Sequence, residues 1–233
     1  RLRTVTGVQT CALPIYQFRA LSSGQMAGLT TTQLTKLESD DLRALSTAAI
    51  NALTTTQFGG LISAQLGALT TTQIEGASIT TIDALTTTQI GGLTATLITA
   101  LSFTQIGALT VTQFSVLNET DLAFLSATQV AGLTTAHATA LTTTQLAAFS
   151  ATQIGGFENA DLAALTTTNI DALTSTQFTG LTATQIPALT ITQIDVITPT
   201  EILGLSSTQA QAFSGSQVLS MTTEQTNALQ QVL

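Results

Sequence analysis

The chain has 233 residues, 44% of them apolar and only 8% charged, with a formal net charge of −8. Its basic residues, Arg1, Arg3, Arg19, Lys36 and Arg43, all precede residue 44, whereas ten acids follow it. Neutralising phosphate requires Lys and Arg, so nucleic acid is excluded as a partner, as is attraction to anionic lipid headgroups. Thr and Gln interrupt every apolar run well short of the roughly 18 residues a membrane helix needs, so no membrane insertion is expected.

In chain order, residues 1–15 stand apart. Val5 to Ile15 resembles the translation of a common short-read sequencing adapter, and Tyr16 fits the base that follows it. Residues 1–15 are therefore read as an unstructured artefact; a signal peptide fits less well, because the stretch has no apolar h-region. Cys11, the single cysteine, goes with them, leaving no disulfide, thiolate metal site or Cys nucleophile. The chain has no initiator Met and reads as a piece of a longer frame.

Residues 16–233 are expected to form a single octad-repeat solenoid. From Leu21 to Leu229 every eighth residue is large and apolar, with Phe149, Phe157, Ile197, Phe213 and Met221 in place of Leu and only Ala77 small. The consensus is Leu-Thr-Thr-Thr-Gln-Ile-x-Ala/Gly, numbered here 1 to 8 from the leucine. A fixed short period means one small unit stacked many times. Disorder is disfavoured, since almost every octad offers two large apolar residues for burial.

Position 2 is Ser, Thr or Asn except at Glu38, Ile62 and Glu158, and position 5 is mostly Gln. A hydroxyl followed three residues later by Gln or Glu is the capping box, and positions 1 and 6 then fall on the two sites of the hydrophobic staple. Pro199 sits at the first helical position, where its missing N–H does no harm. A continuous helix would wind the leucines around its whole cylinder, at roughly 80° per octad. A flat strand would turn positions 1 and 6 to opposite faces. The fold class expected is therefore all-α: a tightly wound α-solenoid of capped helices of about seven residues, one per octad. Ala and Gly exchange freely at position 8, which argues for close backbone approach and not a left-handed C-cap. Against helices stand the β-branched runs such as Thr54-Thr55-Thr56, and Pro187 at position 7. A β-solenoid turning between positions 1 and 6 is the alternative.

A second period overlies the first. The octads at Leu37, Ala77, Leu117, Phe157 and Ile197 lack the Gln and carry Asp41, Thr81, Asp121, Asp161 and Glu201, so five octads form a 40-residue super-repeat. An acid at the third helical position still caps and complements the helix dipole. A Ca²⁺ ligand row is the weaker reading, because single carboxylates 40 residues apart do not make a six-to-eight-oxygen site. His137, the only histidine, occupies a Gln position and reads as a drifted capping residue. Gly59-Gly60, Gly91-Gly92 and Gly155-Gly156 lack the context of a phosphate loop. No catalytic, cofactor-binding or metal-binding residues are assigned, no cofactor is expected, and the chain is read as non-enzymatic.

The octad Leu85 to Gly92, Leu-Thr-Thr-Thr-Gln-Ile-Gly-Gly, repeated over 21–229, resembles the Thr/Gln-rich tandem arrays of very large bacterial exoproteins of adhesion-related or haem-utilisation type. The resemblance implies secretion, an extracellular or cell-surface location, and a spacer or adhesin-stalk role with protein or glycan surface partners. The Leu-Thr-x-x-Gln-Val/Ile start is also similar to DNA-reading helical repeats of plant-pathogen effectors, but the eight-residue period and the missing basic residues oppose that. The alternative function is a threonine-ladder module for ice or glycan, which needs the β-solenoid to lay its hydroxyls flat.

Overall fold

The structure, a computed structural model, describes residues 20–233, so the adapter-like stretch 1–15 lies outside the described residues. The chain divides into two compact units, Arg1–Val116 and Leu117–Leu233. The division falls at Leu117, where one of the 40-residue blocks begins.

Among the described residues there are 25 α-helices, one short 3-10 helix and no strand, in a pattern of one helix per octad. The fold is an all-α solenoid, and the β-solenoid alternative is overturned. The strand preference of Thr and Ile is overridden because the hydroxyl at position 2 is consumed as a helix cap. Thr54 Oγ1 accepts from the Gln57 N–H at 3.2 Å, and Gln57 Oε1 accepts from the Thr54 N–H at 2.7 Å. Both halves of the box recur in octad after octad, as at Thr70/Gln73, Ser126/Gln129 and Thr222/Gln225. Where Ile62 stands at the cap the box is half made: Gln65 Oε1 still accepts from the Ile62 N–H at 3.1 Å, but Ile has no acceptor to offer in return.

The helices are shorter than the seven residues expected. All but the last span four to six residues, as in Thr87–Ile90 and Thr167–Asp171, and Thr223–Val232 reaches ten. The reason lies at positions 1 and 2, which are both extended: Leu45 has ψ 143° and Ser46 ψ 156°. Two extended residues per octad swing the chain round to the next cap, and the remaining six hold little more than one helical turn. Pro187, which lacks the N–H to continue an α-helix, is housed in the 3-10 turn Ile186–Ala188.

A one-turn helix has no stability alone, so packing must supply it. Positions 1 and 6 are buried in nearly every octad, for example Leu61 with Leu66 and Leu165 with Ile170. Within each unit a helix packs on the one three octads further along, so Ile79–Asp83 lies on Phe103–Ala108 and Thr135–Ala140 on Asn159–Ala164. Burial of a Leu and an Ile contributes about 3–6 kcal/mol gross per octad.

Position 8 is small because of the same stacking. A Cβ on Gly92 would lie 2.9 Å from that of Ser63, and one on Gly180 would run into the backbone of Ala151. The backbone there is right-handed, with φ −84° at Gly60 and −82° at Gly76, so Ala replaces Gly wherever the neighbour leaves room. Close approach, not a left-handed cap, sets the composition.

Candidate functional site

The side chain that organises the array is the glutamine of position 5. It is the third helical residue, 5% exposed at Gln57 and 2% at Gln225. Its Oε1 faces its own helix cap, which turns the Nε2 away from it, toward an earlier part of the coil. Gln73 Nε2 donates to the carbonyls of Leu42 at 2.7 Å and Leu45 at 2.8 Å. Gln193 repeats this on Leu162 at 3.0 Å and Leu165 at 2.8 Å, and Gln225 on Ile194 and Ile197. The acceptors lie 28 and 31 residues back, at positions 1 and 6, around the end of a helix. The position-6 carbonyl also accepts from the N–H of the following position-1 residue, as Leu42 does from Leu45, whereas the position-1 carbonyl has only the amide.

Each glutamine therefore ties the start of one helix to the end of another, three to four octads earlier. An amide does this at any pH, since it accepts with one end and donates with the other without carrying a charge. The chain returns over itself about every 28 residues, or three and a half octads. Other side chains bridge in the opposite sense, to carbonyls 25 residues ahead: Arg43 Nε to Ala68 at 2.9 Å and Asn51 Nδ2 to Gly76 at 2.6 Å. Among the described residues every side-chain polar atom wholly removed from solvent has a partner. The sequence revealed the box but not the second bond, because nothing local in an octad states which carbonyl lies beyond the amide.

The acid row takes the same slot with half the function. Asp41 Oδ2 accepts from the Glu38 N–H and Asp121 Oδ2 from the Asn118 N–H, both at 3.1 Å, and Glu201 Oε2 accepts from the Thr198 N–H at 2.7 Å. A carboxylate cannot donate to the carbonyls beyond. Burial raises the Asp121 carboxyl above the usual range, and the hydrogen bond from Asn118 pulls it back. Asp161 is pushed up to about 6, first by burial and then by the neighbouring charge of Glu158. Forty residues is close to one and a half turns of the coil, so within the second unit Asp121 and Asp161 fall on roughly opposite sides, as do Asp161 and Glu201. Among the described residues no three His, Cys, Asp or Glu side chains come together as a metal site.

His137 is buried at the third position of Thr135–Ala140, where its Nδ1 accepts from the Thr134 N–H at 3.3 Å. It occupies the capping slot that its position in the octad implied. The paired glycines lie at the tight crossings and not at a phosphate cradle; a Cβ on Gly155 would stand 2.7 Å from the Gly180 carbonyl. On the first unit an open groove is lined by Thr31, Thr32, Thr35, Thr55 and Thr56 together with Gly59, Gly60 and Ala84. Ile79 and Phe103, on helices that pack together, are half-exposed at position 3 of their octads. Among the described residues no helix is long and apolar enough to cross a membrane.

A family model for the ALTTAQ repeat matches residues 34–71 and 154–191. Each match covers nearly one 40-residue block, the two begin 120 residues apart, and together they span about a third of the chain. The chain is thus similar to that repeat family in both units and is a tandem-repeat region. No curated protein matches it.

Proposed function

We propose that the chain is a structural spacer, a stalk segment of a secreted or cell-surface bacterial protein, without catalytic activity. The observation that carries this reading is where the buried polar groups are used. The position-5 glutamines are committed to backbone N–H and carbonyl groups, so the array's one recurrent polar device serves its own construction. A repeat held together this way changes length by whole octads without disturbing its neighbours. The absence of Lys and Arg after Arg43 leaves trypsin no site over residues 44–233, which suits an extracellular position. A protein or glycan partner would meet a surface of threonine hydroxyls interrupted by Ile79 and Phe103.

The test is to remove or duplicate the block 157–196 within the full reading frame and to follow both the largest dimension of the protein in solution scattering and its location after cell fractionation. A spacer changes in dimension by equal steps, stays at the surface and keeps whatever the flanking sequence binds. Loss of a binding or enzymatic activity on deleting that one block, or retention of the protein inside the cell, would overturn the reading.

A further inference from the structure

Among the acids in the position-5 slot, only the Asp161 carboxylate has no hydrogen-bond partner, and it keeps a narrow contact with solvent. Asp41, Asp121 and Glu201 each accept from the N–H of their helix cap. In the helix Asn159–Ala164 neither half of the capping box is made, yet Asp161 is only 4% exposed. The rungs on either side are closed. Gln153 Nε2 donates to the Leu125 carbonyl at 2.6 Å, and Asn169 Nδ2 to the Leu141 carbonyl at 3.1 Å. The equivalent acceptor for residue 161 is the carbonyl of Leu133, 28 residues back, and no donor among the described residues reaches it.

Asn169 shows what a side chain of this length can do in the slot. Its Oδ1 accepts from the Thr166 N–H at 3.2 Å while its Nδ2 spans to Leu141. A protonated aspartic acid has the shape of asparagine and the same pairing of one acceptor with one donor. We propose that Asp161 is an acid-operated clasp of the second unit: protonated, it donates its O–H to the Leu133 carbonyl and accepts from the Glu158 N–H, closing a rung that stays open when it is ionised. The burial that disfavours the charged form, and Glu158 beside it, place this protonation near pH 6.

The other groups around it are few. Thr135–Ala140, packed against the Asp161 helix, presents His137; the 3-10 turn Ile186–Ala188 and the helix Ile191–Ile194 carry no titratable group. Asp171 and Asp195, the next acids along the chain, are exposed. Histidine ordinarily titrates in the same range as the clasp, so the test uses a His137→Gln background, which restores the usual residue of the repeat.

The sign follows from the raised folded-state value. The stabilising contribution is complete below the unfolded value of 3.8 and is lost as pH rises through about 6. Urea unfolding of the whole chain, followed at 222 nm, compares the background protein with Asp161→Asn and Asp161→Ala from pH 7.5 to 5. The background is expected to gain about tenfold in its folding constant on going to pH 5. The readout is its difference from Asp161→Asn, because Asp121 titrates in the same direction in all three. Asp161→Asn should lose that gain and be at least as stable at pH 7.5 as the background is at pH 5. Asp161→Ala also removes the buried charge and has the better helix propensity, but it cannot bridge and should fall below Asp161→Asn. An alanine variant equal to the asparagine variant at pH 7.5 would reduce the effect to charge burial and overturn the clasp. A background protein that shares the pH profile of Asp161→Asn would overturn it too.

Discussion

Octads 77–84 and 85–92 are neighbours in the first unit and meet the same need differently. In the second, Gln89 accepts from the Thr86 N–H at 2.7 Å and donates to the carbonyls of Gly59, at 2.9 Å, and Leu61. In the first, Thr81 is too short. The Ser78 N–H is taken instead by Asn51 Oδ1 at 2.9 Å, and Asn51 Nδ2 holds the Gly76 carbonyl one residue before Ala77. Thr81 keeps only a local bond with Ser78 at 2.7 Å. What must be conserved physically is a partner for each buried N–H and carbonyl at the turn between helices, and a side chain from another coil can supply it. The octad period records the usual solution, and octad 77–84 shows that the fold accepts a substitute.

That comparison can be strained in four ways, each read from urea unfolding at 222 nm. The largest effect is expected from the core, which both octads share: Ile90→Ala and Ile82→Ala should each cost about 2–5 kcal/mol, both side chains being fully buried. A large difference between them would mean that the degenerate octad is not packed like its neighbour. Next, Gln89→Leu should cost about 2–3 kcal/mol by leaving a cap N–H and two carbonyls without partners, while Thr81→Val should cost under about 1. Equal losses would show that the amide rung contributes nothing beyond the local cap.

Asn51→Ala, a change at an exposed residue, should cost about 1–2 kcal/mol, and in a Thr81→Gln background that cost should largely vanish because the restored amide serves Ser78 directly. An unchanged cost in the double variant would separate Asn51 from the capping of octad 77–84. The smallest effect concerns the glycines. Gly67→Ala should stabilise by about 0.5 kcal/mol, as nothing lies within 4 Å of the added Cβ, whereas Gly92→Ala should destabilise against Ser63. Similar signs at both would remove close approach as the reason for small residues at position 8.

Much of the site was legible in the octad. Thr54 and Gln57 spell a capping box, Leu61 and Leu66 a staple, and the Ala/Gly exchange a tight crossing, because each is a short-range relation that three to five residues express completely. Helix length was less legible: the recurring start signals gave eight residues per unit but did not reveal that Leu45 and Ser46 would both be extended. Asn51 was invisible in the octad's pattern, since its partners lie 25 and 27 residues ahead.

The sequence by itself determined that each octad starts a helix, buries its first and sixth residues and repeats in blocks of forty, because capping and staple geometry are local. Only the tertiary structure decided what the outward end of each glutamine would meet. The 28-residue return of the coil is set by how one-turn helices stack on the third helix along, a packing angle that no single octad contains. That return leaves Asp161 opposite an unanswered carbonyl, and lets Asn169, one octad later and nearly the same shape, find its own.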